Sequence, residues 1–170
     1  MSAYGRLVRR LGHTRLFAAL GRRVGYRLDR RLYRASGGRL STLGRSESEL
    51  LLLTTVGRRT GRRRTVPVLF IRDGAHFVIS SENFGQARAA AWPLNLDADP
   101  SAWVEVGSEV IACSAKRLSQ PEADHYWQRL VELWPAHRTY RARSEARHTF
   151  VLTPRGAEGR SGEPARPSRK

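Results

Sequence analysis

Five arginines fall within the seven residues Arg58-Arg59-Thr60-Gly61-Arg62-Arg63-Arg64, and Gly57 and Gly61 bracket the turn they occupy. Guanidinium groups are planar, permanently charged forks that bind phosphate and carboxylate through paired hydrogen bonds. Glycines at a tight turn supply positive φ, and backbone N–H groups freed there can add to an anion-binding concavity. The chemistry that suits this pattern is the holding of an anionic ligand. A solvated basic turn is the alternative that the residues alone leave open. The segment is not a phosphate-binding P-loop, because no Lys-Ser or Lys-Thr follows and a strand rather than a helix comes next. The other reactive side chains form no comparable group. Cys113 is the sole cysteine, so it has no internal disulfide partner and no thiolate set for a metal. His13, His76, His125, His137 and His148 never fall at metal-ligand spacing, and no metal is expected.

A hairpin must carry the basic turn. Its flanks, from Leu51 to Val56 and from Thr65 to Ile71, are apolar or β-branched, which suits a pleated, half-buried surface. The strands are read as about 49–56 and 64–72. Asp73-Gly74 marks the next turn, and a third strand runs over about 76–82. The Ala-rich segment 86–99 reads as a helix around Pro93, ended by Pro100. WVEVG and EVIACSAKRL alternate with period two across Gly107-Ser108, giving two more strands. Ser119 and Glu122 form a capping box with Pro121 in the first turn. The helix it opens carries Tyr126, Trp127, Leu130, Val131 and Trp134. A short helix follows at about 137–145, and HTFVLT closes as a last strand. Six antiparallel strands with interspersed helices predict a small β-barrel in the α+β class.

The net charge of +16 over 170 residues is concentrated at the two ends. Residues 1–45 hold twelve arginines and one acid, Asp29, whereas 46–154 hold fourteen basic and twelve acidic groups. The chain therefore divides into a basic amphipathic helix with a polar linker (1–45), a nearly balanced barrel domain (46–154) and a disordered tail (155–170), which has no apolar residue beyond alanines. From Arg6 to Tyr33, Leu7, Leu11, Phe17, Leu20, Val24, Leu28 and Leu32 keep near one helical face among the arginines. Such a stripe packs on the barrel or a partner subunit, or lies on an anionic membrane surface through residues 1–35. Nucleic acid is disfavoured, because no aromatic platform interleaves the charges. No apolar run reaches the ~20 residues of a membrane span, and LFAAL is too short for a signal-peptide core. The expected location is cytoplasmic, with a peripheral position at the inner face of the membrane as its variant.

The order of motifs resembles the deazaflavin-dependent nitroreductase family, also described as deazaflavin-dependent quinone reductases. These are split β-barrels related to flavin-mononucleotide-binding barrels. The resemblance rests on Ser36-Gly37-Gly38-Arg39, Leu53-Thr54-Thr55, Gly57-Arg58-Arg59-Thr60-Gly61 and Arg64-Thr65-Val66-Pro67. It continues through Asp73-Gly74, Trp92, Asn95-Leu96, Ala98, Pro100, Trp127, Leu130, Pro135 and Tyr140 to Val151-Leu152-Thr153-Pro154. It spans about residues 36–154.

The resemblance implies an oxidoreductase that moves a hydride from reduced coenzyme F-420, an 8-hydroxy-5-deazaflavin, to a hydrophobic acceptor such as a quinone or nitroaromatic. It implies that Arg58, Arg59, Thr60, Gly61 and Arg64 cradle the cofactor phosphate. Val66 and Pro67 would line the ring edge through their backbone, and Asn83 would meet the anionic tail. Trp92 and Asn95 would shape the pocket wall, with a core aromatic and a local cap as their alternative roles. The family's tyrosine positions near the end of the second helix here read Trp134, His137 and Tyr140, which makes Tyr140 the implied proton donor and His137 the second candidate. The chain departs from the pattern at Glu82, Phe84, Pro93 and His148-Thr149, the last standing where Ile-Pro is usual. Two other readings stay open: a barrel for flavin mononucleotide, and a non-catalytic member of the fold that binds a membrane or partner.

Overall fold

Each strand carries an apolar face that only a barrel interior can cover, and the six longer strands close on one another to supply it. The computed structural model describes residues 26–38, 40–41, 44–45, 50–81, 90–143 and 148–156. In chain order the elements are α1 (Tyr26–Ala35), β1 (Leu40–Ser41), β2 (Gly44–Arg45), β3 (Leu50–Val56), β4 (Arg63–Asp73), β5 (His76–Ser81) and α2 (Ala91–Ala98). There follow β6 (Ser101–Val106), β7 (Glu109–Arg117), α3 (Gln120–His125), α4 (Trp127–Leu133), α5 (Ala136–Arg143) and β8 (His148–Pro154). The barrel order is β3-β4-β5-β8-β7-β6, with every neighbouring pair antiparallel. The six expected strands are thus present within one or two residues of their predicted ends.

Leu51, Leu53, Phe70, Phe77, Ile79, Val104, Phe150 and Leu152 fill the barrel, and α2 closes one mouth by adding Trp92 and Leu96 to the same core. Each fully buried aliphatic or aromatic side chain contributes about 1.5–3 kcal/mol. β3 shows no hydrophobic alternation because both of its faces are covered. Leu51 and Leu53 point into the barrel, while Leu50 and Leu52 lie under Tyr33 of α1. Pro93, on the first turn of α2, removes an N–H that has no helical partner there.

Three expectations are corrected. The segment after Gly38 is not wholly linker: β1 and β2 pair, Leu40 opposite Arg45 and Ser41 opposite Gly44. The helix opened by the capping box is two helices, broken at Tyr126 (φ −90°, ψ −6°). There the Tyr126 N–H bonds back to Ala123 O at 3.2 Å, and the phenol donates to Asp73 at 2.7 Å, tying the break to the β4–β5 turn. The leucine stripe is not the main dock of the described part of the N-terminal helix: Leu28 is 51% exposed and Leu32 half-buried, whereas Tyr33, outside the stripe, is fully buried. The Tyr33 hydroxyl donates to Leu50 O (3.1 Å) and accepts the Gly107 N–H (3.0 Å). Arg34 forms a fork on Glu105, with Nε to Oε2 at 2.8 Å. Gly38 (φ +87°) abuts Gly107, and a Cβ there would lie 2.5 Å from the Gly107 Cα, so no other residue fits. Residues 1–25 and 157–170 lie outside the described residues.

Candidate functional site: an open strand edge between an arginine hairpin and an aromatic cluster

β4 organises the site because its two edges are used unequally. One edge pairs with β3 from Arg63 to Leu69. The other pairs with β5 only from Phe70 to Asp73. Among the described residues, the β5-side edge from Arg63 to Leu69 has no strand partner, which is the split in the barrel. Pro67 sits in this stretch, and proline is tolerated in a sheet only where no ladder bond needs its missing N–H. Val66 turns inward against the core, while Leu69 turns outward. An open edge of this kind offers backbone donors and acceptors to a planar heterocycle with amide-like edges.

At one end of the open edge stands the basic hairpin. Arg58, Arg59, Thr60, Gly61, Arg62, Arg63 and Arg64 are all exposed. Gly61 supplies the positive φ (+63°), whereas Gly57 is needed for closeness. A Cβ on Gly57 would meet Arg62 O and Thr60 Oγ1 at 3.0 Å. The expectation that these glycines free amides for a ligand is corrected. Gly57 N–H bonds to Arg62 O (2.9 Å), and Thr60 and Gly61 N–H both bond to Gly57 O (3.0 and 2.8 Å). Arg58 N–H bonds to Asn95 Oδ1 (3.2 Å). Gly57, Thr60 and Gly61 thus spend their amides within the turn and Arg58 spends its own on Asn95, so an anion here meets chiefly guanidinium groups. Arg63 stacks over Trp103 at 4.1 Å. Among the described residues no carboxylate forms an ion pair with Arg58, Arg59, Arg62 or Arg64.

At the other end, Trp134, Ala136 and Tyr140 pack on Leu69. His137 meets Tyr140 edge to face, with ring centroids 6.4 Å apart at 84°, and both rings are buried. Six residue steps along β4 lead from Arg63 to Leu69, about 20 Å at ~3.3 Å per residue. The residues carried over from the resemblance therefore divide between two places joined by one strand. Neither Trp92 nor Asn95 presents a free polar or aromatic face. Trp92 faces Phe150 in the core (centroids 5.8 Å apart). Asn95 is buried, with both polar atoms engaged. Asn83, Glu82 and Phe84 lie outside the described residues. His148, in place of the family's Ile-Pro, contacts Arg117, which also pairs with Asp97 of α2 at 2.9 Å. Burial, reinforced by the Arg117 charge, holds the His148 imidazole below its usual range. Burial pushes the Cys113 thiol up to about 12, so it stays protonated and unreactive.

Sequence reasoning missed the open edge of β4 and Leu69. Nothing local announces either, although Pro67 within an apolar strand was a readable hint that one edge lacks a partner.

A closed antiparallel barrel, split along one strand edge between a cationic hairpin and a buried aromatic cluster, defines a split-barrel protein of the cofactor-binding class. The model of the F420H(2)-dependent quinone reductase family matches residues 25–154, and the chain belongs to that family of oxidoreductases, which use coenzyme F-420. An F420H(2)-dependent quinone reductase of Mycobacterium tuberculosis (strain H37Rv) is 32% identical over 114 residues, covering 64% of this chain and 76% of that protein. A putative F420H(2)-dependent quinone reductase of Mycobacterium bovis matches to the same extent. The solved structure of an F420-H2 dependent reductase (FDR-A) superposes with a TM-score of 0.56 at 24% identity, covering 61% of this chain and 93% of that one. That likeness shows the fold. The α+β split barrel read from the sequence is the observed one.

Proposed function

We propose that this protein reduces a quinone with a hydride from reduced coenzyme F-420, binding the cofactor along the open edge of β4. The observation that carries the reading is the stretch Arg63–Leu69, whose β5-side edge has no strand partner among the described residues, with the guanidinium groups of the hairpin at one end and Tyr140 at the other. The donor set fits the cofactor, whose phosphate and oligoglutamate tail are polyanionic. Arg58, Arg59 and Arg64 hold those groups through charge-assisted hydrogen bonds, and Thr60 and Gly61 shape the turn that presents them. Pro67 turns its backbone carbonyl to the open edge, Val66 lines the ring edge beside it, and Asn83 adds a polar contact for the tail. When bound, the reduced deazaflavin supplies the hydride. The protein's own part is to orient, to exclude water and to hold a proton near the acceptor oxygen. The Tyr140 phenol is the proton donor, with His137 second in line. Leu69 and Trp134 give the acceptor an apolar contact, which admits nitroaromatics as well as quinones.

Fluorescence-quenching titrations with coenzyme F-420 and with flavin mononucleotide test this directly. Coenzyme F-420 binds more tightly, because it brings several carboxylates as well as a phosphate to the arginines. Equal affinity removes the hairpin from the reading and favours a general flavin barrel. Tight binding with no turnover on several quinones and nitroaromatics makes the protein a non-catalytic member.

The N-terminal segment supports a second element of the reading, contact with an anionic membrane surface, where lipophilic quinones reside. No helix among the described residues is long and apolar enough to cross a membrane. Residues 1–25 nevertheless carry six arginines and no acid, and Leu28 of α1 is exposed. Because Tyr33 packs on the barrel, a deletion that tests this contact must stop before α1. Removing residues 1–25 lowers sedimentation with anionic liposomes, and binding by the full chain falls as salt rises. Equal partitioning of the two forms rules the contact out.

A further inference from the structure

Asn95 occupies a position that neither wall nor ligand contact explains. It lies on α2 between Trp92 and Leu96, the two residues that plug the barrel mouth. Its Nδ2 donates to Thr55 Oγ1 at 3.1 Å, and Thr55 is the last inward residue of β3 before the basic hairpin. Its Oδ1 accepts the N–H of Arg58, the second residue of the turn, at 3.2 Å. A backbone N–H can only donate, so this bond sets which end of the amide faces the hairpin. One buried side chain thus joins the barrel rim to the hairpin tip, using a donor on one side and an acceptor on the other. The hairpin needs such a tie. It holds five like charges, and among the described residues Arg58, Arg59, Arg62 and Arg64 form no ion pair with a carboxylate, so repulsion favours its splaying. α2 itself does not depend on Asn95. Trp92 and Leu96 bury it in the core, and the Asp97–Arg117 pair anchors its far end to β7.

We infer that Asn95 is a positioning residue: it latches the arginine hairpin to the barrel rim and so sets the geometry in which the guanidinium groups meet the cofactor's anionic end, without touching the cofactor itself. The inference rests on the proposed role of the hairpin. Two bonds make the latch, and either can be cut. Asn95→Ala removes both, and Thr55→Val removes the acceptor of Nδ2 while keeping the shape of the rim.

The experiment has two readouts on the full chain. Amide hydrogen exchange of the cofactor-free protein reports the latch itself. The Arg58 N–H exchanges faster in Asn95→Ala, by about tenfold or more, which is the effect of losing one net hydrogen bond. Titration with coenzyme F-420 reports its consequence. Kd rises on the order of tenfold in Asn95→Ala and less in Thr55→Val, and steady-state kinetics place the loss in KM for the cofactor rather than in kcat. Unchanged Arg58 exchange in a folded Asn95→Ala protein overturns the latch. Faster exchange with unchanged Kd overturns its positioning role, provided Arg59→Ala with Arg64→Ala weakens binding in the same assay. If that double variant also binds normally, the hairpin reading fails and takes the latch with it. Should Asn95→Ala not fold, Thr55→Val alone decides, by the same two measurements.

Discussion

The two ends of β4 are built in opposite ways. The hairpin end is contiguous in sequence, exposed and cationic, with the amides of Gly57, Thr60 and Gly61 spent on its own turn. The Leu69 end is assembled from residues more than sixty positions apart, is buried and apolar, and has its chemistry in aromatic side chains. The difference teaches a division of labour. Affinity for a charged group can be placed on a solvated turn, where guanidinium forks need little support. A proton donor for a hydrophobic acceptor must be placed where water is thin, and only packing between distant elements makes such a place. The ~20 Å between them suits a long ligand with a polyanionic end and an apolar, reactive end.

The sharpest way to break this contrast is to strip charge from the hairpin. Arg59→Ala combined with Arg64→Ala weakens coenzyme F-420 by about 3–6 kcal/mol, taking ~1.5–3 kcal/mol for each lost charge-assisted hydrogen bond. Raising the salt concentration brings the parent protein toward the variant. Fluorescence titration at two ionic strengths measures both, and an unchanged Kd would mean the hairpin is only a solvated basic turn.

Next in size is the other end. Tyr140→Phe slows reduction of a quinone such as menadione by ~10²–10⁴-fold, the usual worth of a positioned general acid, with cofactor affinity nearly unchanged. Stopped-flow oxidation of the reduced cofactor reads it. An unchanged rate leaves Tyr140 with the packing role against Leu69 that its burial already gives it.

Two smaller effects fall outside both ends and sharpen the comparison by leaving each intact. Tyr33→Phe deletes the hydroxyl that bonds Leu50 and Gly107. It lowers unfolding free energy by about 1–3 kcal/mol in urea denaturation, while coenzyme F-420 still binds at the parent affinity. A Tyr33→Phe protein as stable as the parent would show that the hydroxyl bonds contribute nothing to holding α1, leaving its apolar contacts and the Arg34–Glu105 pair. The smallest effect is the capping box of α3. The Lys116 ammonium, with the Ser119 N–H and hydroxyl, holds the Glu122 carboxyl down at about 2. A carboxylate whose folded value is depressed contributes stability that is complete above the ordinary carboxylate range and is lost as pH falls toward that depressed value. Glu122→Gln therefore flattens the stability profile between about pH 4.5 and 2. A profile identical to the parent's would show that this exposed cluster contributes nothing measurable.

How much of this could be read without coordinates depends on how far apart the interacting residues are. The hairpin was legible because Gly57 to Arg64 is one continuous segment between two apolar runs, and turn chemistry acts over four or five residues. The pairing of β4 with β5 and of β6 with β7 followed from the turn signals at Asp73-Gly74 and Gly107-Ser108, both glycines adopting positive φ as their turns require. The capping box at Ser119 and Glu122 was legible for the same reason, but the break at Tyr126 was not, because it accompanies a hydroxyl bond to Asp73, 53 residues away. Tyr33 fell outside the leucine stripe that periodicity selected, since its partners are carbonyls and an amide on β3 and the β6–β7 turn. Tyr140 and His137 were singled out by resemblance alone, as an isolated tyrosine on a basic helix carries no local mark of a site.

By itself, then, the chain determined the six strands, the turns between them, the cationic tip and, through the order of its motifs, the family. Local backbone preference and alternation are properties of neighbouring residues, and neighbours are what a sequence lists. Tertiary structure alone decided that β4 leaves β5 after Phe70 and presents an open edge, that Gly57, Thr60 and Gly61 spend their amides within the turn, and that Asn95 ties that turn to the rim. Each depends on which distant partner satisfies a backbone or side-chain hydrogen bond, and that choice is made when the barrel closes and every buried polar group must find its mate.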